Sequence, residues 1–172
     1  MDRGIRLDNL GKFLVPVDEI GAKERAASLA GRSIKNESKI EAIKMAVSMI
    51  DLTTLEGKDS EGKVDALCRK AMNPLDGCAD IPHVAAVCVY PNLIRTAKSA
   101  LAGSGVKVAS VAASFPSGQS PLKLKINEVK RIVHLGADEV DMVISRGEFL
   151  EGNLKYTFNE VKEVKQACGD AH

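Results

Sequence analysis

Apolar positions fall into two textures along the chain. In the first eighty residues they recur at helical spacing. From Ser38 the run Ile40, Ile43, Val47, Ile50 makes one stripe, and Val64, Leu67, Cys68 and Ala71 make a second. Asp18 is placed to cap an earlier short helix reaching Ala30, with Gly31 at its end. Ser60 can cap the helix of the second stripe, and Asn73-Pro74 stops it, because a residue before proline is pushed out of the α region. Between the stripes, Asp51-Leu52-Thr53-Thr54-Leu55 reads as a helix end running into a turn at Gly57 and Asp59.

Beyond residue 80 the texture changes to a repeated unit. Val84 to Tyr90, Val106 to Phe115 and Ala137 to Ile144 are nearly continuous apolar runs. Each is followed by a helical stripe: Leu93, Ile94, Ala97 and Leu101 behind Pro91; Leu122, Ile126, Val129 and Val133 behind Ser120-Pro121; Leu154, Phe158, Val161 and Val164 behind Asn153. Gly103, Gly136 and Gly169 close the three helices. Apolar strands alternating with helices indicate parallel βαβ connections in a sheet covered on both faces. The expected organisation is one α/β domain over 1–172, with a helical extension at 1–80 and three βα units at 81–172. An open doubly wound sheet and the start of a (β/α)8 TIM barrel both fit. A glycine-rich nucleotide fingerprint after the first strand would favour the open sheet, but Tyr90-Pro91-Asn92 stands there. A closed barrel needs about 250 residues, so 172 would supply a partial one.

Composition narrows the function classes. Lys and Arg number 24 against 23 Asp and Glu, so charge offers no reason to expect nucleic acid or an anionic membrane as partner. Aromatics are 3% with no Trp, too few for a base-stacking surface. Cys68, Cys78, Cys88 and Cys168 form no C-x-x-C pair, and His83, His134 and His172 are scattered, so no zinc site is expected. Free thiols, the absence of a signal-peptide pattern and the absence of a membrane-length apolar run together indicate a soluble cytoplasmic protein.

Sites in parallel α/β folds gather where strands give way to βα loops. The three strands deliver Cys88 and Tyr90, then Ser114 to Gly118, then Asp141 and Ser145-Arg146 to that edge. In Asp138-Glu139-Val140-Asp141, alternation puts Glu139 and Asp141 on one face, roughly 7 Å apart. A carboxylate in an apolar run pays a desolvation cost unless a cation or donor meets it. Asp141 is therefore either an ion-pair partner or a proton-transfer or metal-binding group, and no His or second carboxylate cluster at the other strand ends supports metal. Cys88 in such a strand is ordinarily a small buried residue, and Asp51 an ordinary solvated helix-end residue.

Four ordered stretches resemble deoxyribose-phosphate aldolases, most closely the animal type: Ile50 to Leu55, Ala85 to Pro91, Val108 to Gly118, and Gly136 to Ile144. The resemblance runs from about residue 38 to the end. It implies a TIM-barrel class I aldolase that cleaves 2-deoxyribose 5-phosphate to acetaldehyde and glyceraldehyde 3-phosphate in deoxyribonucleoside catabolism, through a lysine Schiff base and without metal or organic cofactor. Asp141 falls on the family's proton-relaying aspartate, Asp51 on an acidic residue near the active-site lysines, and Cys88 on a pocket cysteine. Ser114 departs from the asparagine many members carry. The lysine strands and phosphate loops of the family have no counterpart in these residues. The remaining lysines are expected on solvated helices and turns, with Lys107 at the wrong strand end. The chain is therefore expected to be a truncated form, inactive alone. The alternative is a non-catalytic module that completes a barrel in trans, its bare third strand inviting association, with a homo-oligomer among the outcomes.

Overall fold

The structure is a computed structural model and describes residues 16–172. The chain divides into two units, one ending at Glu41 and one spanning Ala42–His172. Helix α1 (Glu19–Ala30) begins where Asp18 accepts from the Gly21 amide, and none of its residues is buried. Helix α2 is Asn36–Ser48. Of its stripe, Val47 packs against the core of the larger unit, whereas Ile43 and Ile50 stay exposed.

The larger unit is built on one parallel sheet of four strands in the order β1-β2-β3-β4: Asp51–Thr53, Ala86–Val89, Lys107–Ala112 and Glu139–Met142. Helices α3 (Glu61–Met72), α4 (Ile94–Ala100), α5 (Leu122–His134), α6 (Arg146–Leu150) and α7 (Leu154–Cys168) follow the strands in turn. The α/β class and parallel sheet are those expected, with one strand more than the three anticipated. Asp51–Thr53 is a strand, so the helical extension stops before residue 80. Its polar Asp and Thr carry no apolar signal; pairing with β2 makes it a strand, Asp51 opposite Ala86 and Thr53 opposite Cys88.

One face of the sheet carries the main core. Val87, Val89, Val108 and Ala112 meet Val64 and Cys68 of α3, Ile94 and Ala97 of α4, and Val129 and Ile132 of α5 in one continuous cluster. Each fully buried Val or Ile contributes roughly 1.5–3 kcal/mol against exposure. The caps fall where the sequence places them: Ser60 accepts from the Lys63 amide, and Asn153 from the Tyr156 amide.

Helix α7 differs from its expected orientation. It buries Thr157, Glu160, Val164 and Cys168, and leaves Leu154, Phe158 and Val161 exposed. Of the expected stripe Val164 alone is buried, and Glu160 faces inward to pair with the buried Lys125. At the end of the chain, the His172 amide donates to the Asp138 carbonyl and its carbonyl accepts from the Val140 amide, both at 2.9 Å. His172 thereby lies alongside β4. Among the described residues no helix is long and apolar enough to cross a membrane.

Candidate active site

The register brings chemistry-bearing residues to the second face of the sheet. Thr53 pairs with Cys88, Cys88 with Ala109, Ala109 with Glu139, and Val111 with Asp141. Alternation puts all of these, with Asp51 and Ala86, on the face opposite the main core. A small second cluster of Ala86, Cys88, Ala109 and Val111, with Leu55 and Tyr90 against it, lines this face. The alanines keep it shallow. Above them opens a cavity of about 580 Å3, walled by Thr53, Cys88, Asp141, and Phe115 and Arg146 from the loops behind β3 and β4.

At its floor the Cys88 thiol donates to Asp141 Oδ2, with sulfur and oxygen 3.6 Å apart. Cys88 is buried, and burial is the main reason its thiol is pushed up to about 12; the Asp141 and Asp51 carboxylates push it further in the same direction. At neutral pH it is therefore a neutral donor rather than a thiolate nucleophile. Asp51 shares the face but does not line the cavity, and it bears on the site through its charge near Cys88. All four cysteines are free.

The expected burial of Asp141 is not what the structure has. Asp141 is exposed, at the open cavity, so it escapes the desolvation cost argued from its apolar neighbours. Asp138 is the carboxylate that is ion-paired. Both of its oxygens lie 3.0 Å from Lys98 Nζ on α4, and Oδ2 also accepts from the Val108 amide at 2.8 Å. Burial alone would raise its carboxyl, but the Val108 amide and Lys98 outweigh that and hold it below the usual range. Asp138, just before β4, thus turns to Lys98 of α4, while Asp141 within the strand turns to the cavity.

Ser114 is engaged within its own loop. Its hydroxyl pairs with that of Ser120 and its amide donates to Glu128 Oε2 at 2.9 Å, which shapes the loop behind β3. Arg146 Nη2 donates to the Pro116 carbonyl at 3.1 Å, bridging the loops behind β3 and β4. Among the described residues that line the cavity Arg146 is the one cation, and none is a lysine.

The expectation of solvated lysines fails at Lys125. This α5 residue is fully buried, its Nζ 2.6 Å from Glu160 Oε1 and 2.8 Å from Ser145 Oγ. Its Nζ is engaged by the Glu160 carboxylate and the Ser145 hydroxyl, and Lys125 does not line the cavity. Among the described residues, no group of three or more His, Cys, Asp or Glu side chains is arranged to hold a metal.

Residues 45–172 match the model of the DeoC/LacD family aldolases. The chain is similar to deoxyribose-phosphate aldolases of Mus musculus (39% identity) and Homo sapiens (37%), each over 99% of this chain and 57% of the relative. A putative deoxyribose-phosphate aldolase of Caenorhabditis elegans is 43% identical over 86% of this chain and 49% of its own. Among solved structures, a putative deoxyribose-phosphate aldolase from Coccidioides immitis superposes with a TM-score of 0.67 at 29% identity, over 75% of this chain and 47% of that one. The enzyme from Aeropyrum pernix, described as a unique tetrameric structure, gives 0.58 at 27% identity, over 73% of this chain and 50% of that one. The chain spans little more than half the length of the curated relatives it matches.

Proposed function

The chain belongs to the DeoC/LacD aldolase family, and from that premise we propose that its cavity is the first part of a class I aldolase site for 2-deoxyribose 5-phosphate. In that chemistry a lysine amine forms a Schiff base with the sugar aldehyde. The electron pair of the breaking carbon–carbon bond flows into the iminium, and acetaldehyde and glyceraldehyde 3-phosphate result. A carboxylate–water pair would take the hydroxyl proton and return one to the enamine carbon. Asp141 has the exposure and position for that relay, beside a water-accessible cavity on the open face. Cys88 orients it as a neutral donor, and Asp51 adds negative charge below. The single observation that carries the reading is the Cys88–Asp141 contact at the cavity floor. The setting we propose is cytoplasmic deoxyribonucleoside catabolism.

We infer that the Schiff-base lysine is not among these residues. Among the described residues no lysine lines the cavity, and Lys125 is held in an ion pair. The 172-residue polypeptide mixed with 2-deoxyribose 5-phosphate and borohydride is expected to gain no covalent label. Labelling of one specific lysine, found by peptide mass mapping, would contradict this.

A second reading, a module that completes a barrel with another polypeptide, is favoured by one observation. Leu154, Phe158 and Val161 of α7 leave an exposed apolar stripe, although His172 already pairs along the outer flank of β4. Light scattering separates the readings: a cooperative monomer at all concentrations would count against the module.

A further inference from the structure

Asn127-Glu128-Val129-Lys130 of α5 returns in α7 as Asn159-Glu160-Val161-Lys162. In both copies the glutamate does the same thing. Glu128 Oε2 accepts the Ser114 amide at 2.9 Å, just past β3, and Glu160 Oε2 accepts the Ser145 amide at 2.7 Å, just past β4. A backbone amide leaving the end of a parallel strand has lost its ladder partner, and a carboxylate from a helix later in the chain, α5 for β3 and α7 for β4, supplies a charge-assisted one. The first latch holds an unusual backbone, since Ala113 and Ser114 both sit at φ 61.

In the second latch Glu160 is fully buried and more heavily connected. Glu160 Oε1 also accepts from Lys125 Nζ at 2.6 Å and from the Ser145 hydroxyl at 2.8 Å. Burial alone would raise its carboxyl, but Lys125 and the two Ser145 donors hold it below the usual range. A buried ion pair is a poor source of net stability, and an apolar pair of similar volume commonly serves as well; its better-attested use is to fix one arrangement. What this one fixes lies four residues beyond Asp141. The two latched loops also touch each other: a Cβ on Gly118 would come within 2.5 Å of the Ile144 carbonyl oxygen, and Arg146 reaches the Pro116 carbonyl.

We propose that Glu128 and Glu160 are positioning residues, a repeated helix-to-loop latch that sets the two cavity-walling loops, and that Glu160 with Lys125 holds the end of β4 so that Asp141 stays against Cys88. The proposal rests on the aldolase reading only for the use to which Asp141 is put. Neither glutamate lines the cavity, so each acts through the backbone it holds.

The test is the reactivity of Cys88 in the full chain, followed by iodoacetamide alkylation across pH and quantified peptide by peptide. The groups that bear on this thiol are the Asp141 and Asp51 carboxylates and the Thr53 hydroxyl. The pair Lys125→Met with Glu160→Leu fills the buried volume without stranding a charge. It is expected to melt cooperatively yet alkylate Cys88 at least three-fold faster at pH 9, with the profile moved to lower pH. An unchanged rate and profile in the folded double variant would overturn the proposal. Should that variant not fold, hydrogen exchange of the unaltered chain decides. The Ser145 amide is expected to be protected as strongly as the β4 amides, and exchange at an open-loop rate would overturn it. Neither readout needs turnover, so failure here would leave the aldolase reading standing, while a labelled lysine would sink the lysine assignment and leave the latch intact.

Discussion

The Cys88 thiol is where sequence, packing and charge meet most closely. Its place in an apolar strand makes it look like a filler, and it is indeed buried, yet its sulfur is 3.6 Å from the one strand carboxylate that faces the cavity. Burial is the first cause of its raised ionisation and Asp141 the second, so the effect of removing Asp141 has a definite sign. In Asp141→Asn the thiol should ionise at lower pH than in the parent while staying above an ordinary cysteine, because burial remains. The alkylation profile of Cys88 is expected to move toward lower pH by a resolvable amount; an unmoved profile would mean that the contact is not kept in solution. The positions of Cys88 and Asp141 on one face could be read from strand alternation alone. The burial of Lys125 could not, since lysine usually stays in water and its partner Glu160 is 35 residues away on another helix. The repeated Asn-Glu-Val-Lys pointed at most to Glu160, since Lys125 lies outside it.

At the scale of elements, the three long apolar strands and their helices were legible because continuous Val and Ala runs and capping residues agree with one another. Strand β1 was not, being three residues long and polar at alternate positions. Its ladder with β2 exists only once the chain has folded back, and that pairing is what makes Asp51 and Thr53 part of the cavity face rather than a turn. On α7 only Val164 of the expected stripe is buried, and the inward-facing Glu160 could not be read from apolar spacing. The packing of one βα loop on another gives a sharp test. Gly118 sits at φ +71, and an added methyl would meet the Ile144 carbonyl oxygen at 2.5 Å. Gly118→Ala should cost about 1–3 kcal/mol in denaturant unfolding, the range for a forced left-handed backbone. At Gly57 an added methyl meets nothing within 4 Å, and Gly57→Ala should change stability by less than about 0.5 kcal/mol. Equal effects at the two sites would remove the loop contact from the description.

For the whole molecule, four parallel strands present one face to helices and the other to a cavity, in a chain that spans little more than half of its curated relatives. The family was legible from four ordered motifs, and the cavity shows why those motifs recur together: each contributes a strand end or a loop to the same edge. Among the described residues that line the cavity none is a lysine. The most direct measurement is cleavage of 2-deoxyribose 5-phosphate by a fusion of residues 1–172 to the portion of the Mus musculus relative beyond the matched region. Activity is expected in the fusion, with a fall of about 100-fold or more in kcat for Asp141→Asn, the scale of a lost proton-transfer group. A folded, active fusion whose Asp141→Asn form turns over at the parent rate would contradict the role given to Asp141.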